Sequence, residues 1–317
     1  MKEYKVLGEK DTRSGFGEGL LEAGRENKNV VALCADLTPS VRMDLFQKEF
    51  PERFVEVGIA ESNMISIASG MAIAGKVPFV GSFAAFSTGR TYDQIRQSVA
   101  YSDTNVKIAG SHAGITLGED GATHQILEDL GLMKMLPNMV VINPCDHTQA
   151  KQATIASARY NGPVYIRYGR PKVPVFLTED TPFEIGKALI LNEGKDVTIV
   201  ATGHLVWPAL QAAEELEKEG ISAEVINIHT IKPLDNEAIL TSVKKTGCVV
   251  ACEEHMYNGG LADSIAQLLV RNSPAPMEYI GIDDQFGESG KPMELMAKYG
   301  LDKEHIIAAS KKVISRK

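Results

Sequence analysis

The sequence predicts an α/β protein of two domains, each a mostly parallel sheet flanked by helices. Short apolar runs of strand length alternate with stretches of helical spacing along the chain, the pattern of a sheet with helices layered on its faces. The strand-length runs are nearly continuous in apolar residues, as strands covered on both faces are. The alternation is broken once, by the proline-rich and aperiodic segment Pro171 to Phe183, which reads as a crossing between units. A chain of 317 residues suits two domains of about 150 residues each. We place them at 1–172 and 187–317, with a linker at 173–186.

In the first unit, Val30-Val31-Ala32-Leu33-Cys34, Pro78-Phe79-Val80, Val106-Lys107-Ile108-Ala109 and Met139-Val140-Val141-Ile142 read as buried strands. Ser62 to Ala74, Tyr92 to Ala100 and Thr148 to Arg159 space their apolar residues as helices do. The last follows Asn143-Pro144-Cys145-Asp146, a loop with turn and cap residues. In the second unit, Val197 to Ala201, Ala223 to Ile228 and Gly247 to Cys252 are the expected strands. Val206 to Glu219, Asn236 to Lys245 and Gly259 to Arg271 are the expected helices.

Composition narrows the function. A net charge of -8 and the lack of a long Lys/Arg run argue against a nucleic-acid binder. No apolar run reaches the roughly 18 residues of a membrane span, and the polar start is unlike a signal peptide. Of the four cysteines, Cys34 and Cys248 lie in or beside strand-like runs and read as buried thiols. Cys248 and Cys252 have no second Cys/His pair at zinc-ligand spacing, so no metal site is predicted here. A reducing cytoplasm is the expected compartment.

Four constellations could carry chemistry. The run Gly110 to Gln125 follows a predicted strand and gathers His112, Asp120 and His124 among glycines. Ligands of open α/β sheets bind at such strand ends, although a turn-rich surface loop would look similar. Glu61 stands at the entry to an apolar helix. It is either a first-turn acid favoured by the helix dipole or a partly desolvated carboxyl that meets a heterocycle nitrogen. Phe83 and Phe86, three apart after a strand, could offer ring faces to a planar ligand or pack in the core. Arg13, Arg90, Arg96 and Arg170 are isolated cations, any of which could hold a phosphate.

Taken in order, these segments resemble the transketolase family over almost the whole length. Ala35-Asp36-Leu37-Thr38-Pro39-Ser40 looks like its first active-site loop, and Phe54 to Met64 like the segment with its cofactor-activating glutamate. Gly118-Glu119-Asp120-Gly121-Ala122-Thr123-His124-Gln125 is similar to its most recognisable motif, and Gly287 to Gly300 to the end of its C-terminal domain. The resemblance implies a thiamine-diphosphate pyrimidine-binding domain followed by a transketolase C-terminal domain. It implies Glu61 on N1′ of the aminopyrimidine, Phe86 stacked on that ring, and Phe83, Asp36 and Leu37 in the same cofactor pocket. His112 and Asp120 match positions that contact sugar hydroxyls and assist proton transfer. His124 stands at the motif's end, and Arg13, Ser40 and Arg170 match positions that grip a substrate phosphate.

The implied activity is a glycolaldehyde transferase of the pentose phosphate pathway. It moves a two-carbon ketol unit from a ketose phosphate such as xylulose 5-phosphate to an aldose phosphate. The Gly-Asp-Gly run with which thiamine enzymes hold Mg²⁺ and the diphosphate does not occur here. We therefore expect an N-terminal partner subunit to supply that site, in a two-plus-two heterotetramer, with no metal ligand on this chain. Three rivals stay open at this point. A 1-deoxyxylulose-5-phosphate synthase would be expected to lack His112. The β subunit of a 2-oxoacid dehydrogenase would not need the arginines, and a non-catalytic partner chain would not need Glu61, Phe86, His112 and Asp120 together.

Overall fold

Asp11 caps the first helix, accepting the Ser14 N–H at 2.9 Å. From there strands and helices alternate through the computed structural model, which describes residues 4–317. The chain opens with β1 (Glu9–Asp11), α1 (Thr12–Glu26), β2 (Val30–Cys34), α2 (Asp44–Glu49), β3 (Phe54–Glu56), α3 (Glu61–Ile73) and β4 (Val77–Phe83). A π-helical run Ala85–Gly89, a single turn α4 (Tyr92–Gln94) and a second π-helical run Ile95–Tyr101 follow. Next come β5 (Lys107–Ser111), α5 (Asp129–Met135), β6 (Val140–Ile142), α6 (His147–Arg159), β7 (Val164–Arg167) and β8 (Lys172–Pro174). The rest comprises β9 (Leu189–Asn192), β10 (Val197–Ala201), α7 (Val206–Lys218), β11 (Ala223–Asn227), β12 (Thr230–Lys232) and α8 (Asn236–Thr246). It ends with β13 (Val249–Met256), α9 (Leu261–Asn272), β14 (Met277–Ile282), α10 (Pro292–Lys298) and α11 (Lys303–Ile314).

Two large sheets result, as the fold class required, beside a two-stranded pairing of β1 with β8. The larger runs β12-β6-β7-β5-β4-β2-β3 and is parallel except for its edge pair β12–β6. The smaller runs β14-β13-β10-β11-β9 and is parallel except for β9. Because parallel strands share one direction, the loops after β2, β3, β4, β5 and β7 all leave the same edge of the larger sheet. Every candidate residue up to Arg170 lies in one of those loops or at its margin, apart from Arg13 near the start of α1 and Arg96 within the π-helical run Ile95–Tyr101.

Several elements differ from expectation for identifiable reasons. Helix α1 went unread because Gly15, Gly17, Gly19 and Gly24 hide its apolar periodicity. A Cβ at Gly15 or Gly19 would run into the backbone of α6 at His147 or Lys151, so the glycines let two helices approach closely. The expected helix Tyr92 to Ala100 is largely π-wound. A wider turn shifts the phase of side chains, so a 3.6-residue template finds the segment but not its winding. Gly247 is the left-handed C-cap of α8 rather than the start of β13. The crossing contains β8, which pairs with β1, and β12 returns from the second series to the edge of the first sheet. One apolar cluster joins Leu33, Val80 and Ile108 to Val200, Ile226 and Val249, so the two sheets share core. All four cysteines are buried free thiols. No helix among the described residues is long and apolar enough to cross a membrane.

Candidate active site

Glu61 is the first residue of α3, and its side chain is only 4% exposed. A carboxylate there gains from the helix dipole, but burial obliges it to find a partner. Arg90 provides one, with Nη1 2.9 Å from Oε1. Among the described residues Oε2 has no partner, which leaves it to a ligand. The Arg90 guanidinium also lies 4.2 Å from the centroid of Phe86. Phe86 sits in the π-helical run after β4, its ring nearly parallel to Phe83 at 5.9 Å. A cavity of about 220 Å³ opens beside these groups, lined in part by Ala85, Arg90, Thr123 and Phe286.

Phe83 connects this half to the second. His112 follows β5, adopts a left-handed φ of 57°, and stacks on Phe83 with centroids 3.9 Å apart. Its Nε2 lies 3.1 Å from Arg13 Nη1, and its Nδ1 lies 2.9 Å from Ser111 Oγ. A guanidinium only donates, so Nε2 accepts and the ring proton belongs on Nδ1, donated to Ser111. Burial, reinforced by the charges of Arg13, Arg170 and Arg42, pushes the imidazole down to about 3. His112 is therefore neutral at physiological pH, with its Nε2 lone pair engaged by Arg13.

Those cations make an anion site. Arg13 donates to the Ser40 carbonyl at 2.8 Å, which brings the β2 loop against α1. Ser40 contributes its backbone to this contact. Arg170 donates to Leu117 O and Glu119 Oε2, each at 2.8 Å. Arg42, in the loop after Ser40, lies 3.7 Å from Asp11. Three guanidiniums thus face two carboxylates, Asp11 and Glu119, and the excess suits a tetrahedral oxyanion.

The remaining candidates are more peripheral. His124 lies edge-on to Phe86 at 5.3 Å and is held by Thr123 Oγ1 at 2.9 Å. Asp120 is exposed and has no hydrogen bond or ion pair among the described residues. Asp36 is exposed at a φ of 58°, its N–H donated to Glu56 at 2.7 Å, and Leu37 packs at the edge of the core. Glu56 also accepts from Thr38 and Gly58, so it ties the first active-site loop to the segment before Glu61.

Sequence reading missed Arg42 and Glu254, and it raised Arg90 and Gln125 without the contacts they make. Arg90 was a candidate phosphate ligand, but the structure places it on Glu61. Arg42 stands two residues beyond the quoted loop. Gln125 ends the quoted motif and donates to Ile115 O at 3.0 Å and Glu288 O at 3.0 Å. Glu254, in β13, accepts the Thr116 N–H at 2.8 Å and lies 3.2 Å from His204 Nδ1. Burial works to raise its carboxyl, but His204, Arg167 and the Thr116 N–H outweigh that and hold it below the ordinary value.

A parallel α/β sheet with a buried acid, an aromatic wall and an arginine cluster at its carboxyl edge defines a ligand site for a planar heterocycle and an anion. Residues 8–175 match the pyrimidine-binding domain of transketolase, and residues 186–306 match the transketolase C-terminal domain. The chain belongs to the transketolase family. It is 47% identical to a putative transketolase C-terminal section from Methanocaldococcus jannaschii, covering 94% of each chain. It is 44% identical to a 6-deoxy-6-sulfo-D-fructose transketolase subunit from Clostridium sp., covering 96% of this chain and 95% of that one. A split-gene transketolase solved as an inactive beta4 tetramer superposes with a TM-score of 0.90 at 43% identity, covering 97% of this chain and 99% of that one.

Proposed function

We propose that this chain is the C-terminal subunit of a two-chain transketolase that transfers a two-carbon ketol unit from a ketose phosphate, such as xylulose 5-phosphate, to an aldose phosphate. In this reading residues 1–172 form the pyrimidine-binding domain, 173–186 the linker and 187–317 the C-terminal domain. The observation that carries it is Glu61: a buried carboxylate with one oxygen unclaimed, beside an aromatic wall. That donor set fits an aminopyrimidine, which is planar and carries a ring nitrogen able to share a proton with an acid. Thiamine diphosphate, when bound, supplies the carbon nucleophile and the electron sink. Glu61 Oε2 would hydrogen-bond the aminopyrimidine, Phe86 would stack on its ring with Phe83 lining the same pocket, and Asp36 and Leu37 would line the cofactor's side.

Arg13 and Arg170 hold the substrate's phosphate with Ser40, while Arg42 adds charge. His112 would meet the sugar as Arg13 turns from its Nε2 to the phosphate, with Asp120 and His124 at the hydroxyls. A sulfonate end is the second reading, because the same cations would accept it and one 44% identical relative bears a sulfo-sugar name. The diphosphate and Mg²⁺ belong to an N-terminal partner in an α2β2 assembly, since no Gly-Asp-Gly occurs in this sequence. Ile59, 76% exposed two residues before Glu61, is an apolar side chain that such a partner would cover. The cytoplasm is the proposed compartment.

Titration calorimetry with thiamine diphosphate and Mg²⁺ tests this reading. The chain alone should show no Mg²⁺-dependent binding, and adding a Gly-Asp-Gly-bearing N-terminal subunit should create both binding and ketol transfer. Tight Mg²⁺-dependent binding by the lone chain would overturn it.

A further inference from the structure

We infer that Arg90 is a positioning residue for the Glu61 carboxylate and the Phe86 ring, and that it has no part in binding the substrate's phosphate. The inference rests on the proposed role of Glu61. Arg90 immediately follows the π-helical run that carries Phe86, and its own N–H bonds back to Ala85 O at 3.2 Å. Backbone and side chain thus belong to one rigid turn. From there the guanidinium reaches Glu61 Oε1 with Nη1 at 2.9 Å while its Cζ lies 4.2 Å from the Phe86 centroid.

The pair is asymmetric, because the Arg90 side chain is 49% exposed and that of Glu61 only 4%. A half-exposed arginine loses little hydration on pairing, whereas a buried carboxylate deprived of its partner is strongly penalised. The contact uses one nitrogen and one oxygen, which fixes the rotamer of Glu61 and leaves Oε2 open. A flat, delocalised cation can do this while lying on an aromatic face; an ammonium keeps the charge but loses the planar contact. The two groups that would meet the pyrimidine are therefore oriented by one side chain that touches both. The contacts that build the anion site run through Arg13, Arg170 and Arg42, while the Arg90 guanidinium is engaged by Glu61 and Phe86. The anion site is built without it.

The test uses Arg90→Met, Arg90→Lys, Glu61→Gln and the double variant Glu61→Gln/Arg90→Met. For the chain alone the readout is thermal unfolding. Arg90→Met should melt several degrees lower than the native chain, because it strands a buried charge. The double variant should recover most of that loss, since glutamine needs no counter-charge. Additive effects of the two substitutions would overturn the inference. In the two-chain enzyme Arg90→Met should cut kcat by about ten-fold or more, as a displaced catalytic group does. The KM for the phosphorylated donor should change less than two-fold, and Arg90→Lys should fall between. A raised KM with unchanged kcat would make Arg90 a phosphate ligand and also overturn it. The melting experiment involves no reaction, so it stands even if Glu61→Gln turns over normally and the proposed function fails.

Discussion

At His112 the local conformation and the electrostatics point the same way. The backbone is left-handed there, which costs any residue with a Cβ, and the ring is returned for that strain to a stack on Phe83 and two polar contacts. Its folded value of about 3 lies below the ordinary 6.5. A depressed value means that the unfolded chain binds the proton more readily, so the stabilising effect is complete above pH 6.5. It is lost as the pH falls toward 3, at about 1.4 kcal/mol per pH unit. Asparagine tolerates the left-handed region, which makes His112→Asn the control. Urea titrations between pH 7 and pH 4 should show the native chain losing stability faster than the variant by that slope; parallel curves would refute the assignment. Glu61 and His112 drew attention in the sequence because chemistry-bearing types stood in ordered motifs, whereas Arg13 stood alone until the family resemblance singled it out. Asp11 and Arg42 were not legible, because an N-cap acid and a loop arginine carry no signal until α1 and the β2 loop meet.

At the scale of elements, the loop from His112 to Gln125 is shaped by the second domain as much as by its own sequence. Gly114, at a φ of 80°, has no room for a Cβ because Glu254 occupies that space, and Glu254 in turn holds the Thr116 N–H. Gln125 binds the far end of the loop to Glu288 O. The C-terminal domain therefore braces the segment that carries the candidate histidines. Gly75 offers a comparison: its φ is 85°, yet nothing lies within 4 Å of its missing Cβ. Gly75→Ala should cost only backbone strain, about 1 kcal/mol. Gly114→Ala should cost that plus displacement of a buried carboxylate, about 3 kcal/mol or more. Chemical denaturation would show it, and equal losses at both positions would refute the brace. The expected strand Gly247 to Cys252 stopped short of Glu253 and Glu254 because acids rarely continue a buried strand. Here each has a defined partner: Glu253 accepts the Leu261 and Ala262 N–H groups at the start of α9, and Glu254 pairs with His204.

For the whole molecule, the shared core fixes one domain against the other, and in the proposed reading the diphosphate site is supplied by another chain. Helix α3 offers that chain a surface. It is apolar on most sides, as a helix buried all round would be, yet Asn63, Ser66, Gly70 and Ile73 are exposed. Gly70 is costly in mid-helix, by about 1 kcal/mol against alanine, and none of the described residues outside its own helix lies within 4 Å of its missing Cβ. An exposed mid-helix glycine that no described residue approaches leaves room for another backbone, and this face, on the side of α3 away from the buried Glu61, is one that the proposed partner subunit could cover. Replacing Gly70 with leucine separates the two demands. The lone chain should be as stable as the native one or more so, because leucine is the better helix former. Association with the N-terminal subunit should weaken by ten-fold or more, about 1.4 kcal/mol, as the added side chain holds the two surfaces apart. Analytical ultracentrifugation of the mixed subunits measures the second effect and thermal unfolding of the single chain the first. Native-like association by Gly70→Leu would remove α3 from the interface and move the search for the partner's footprint to another face.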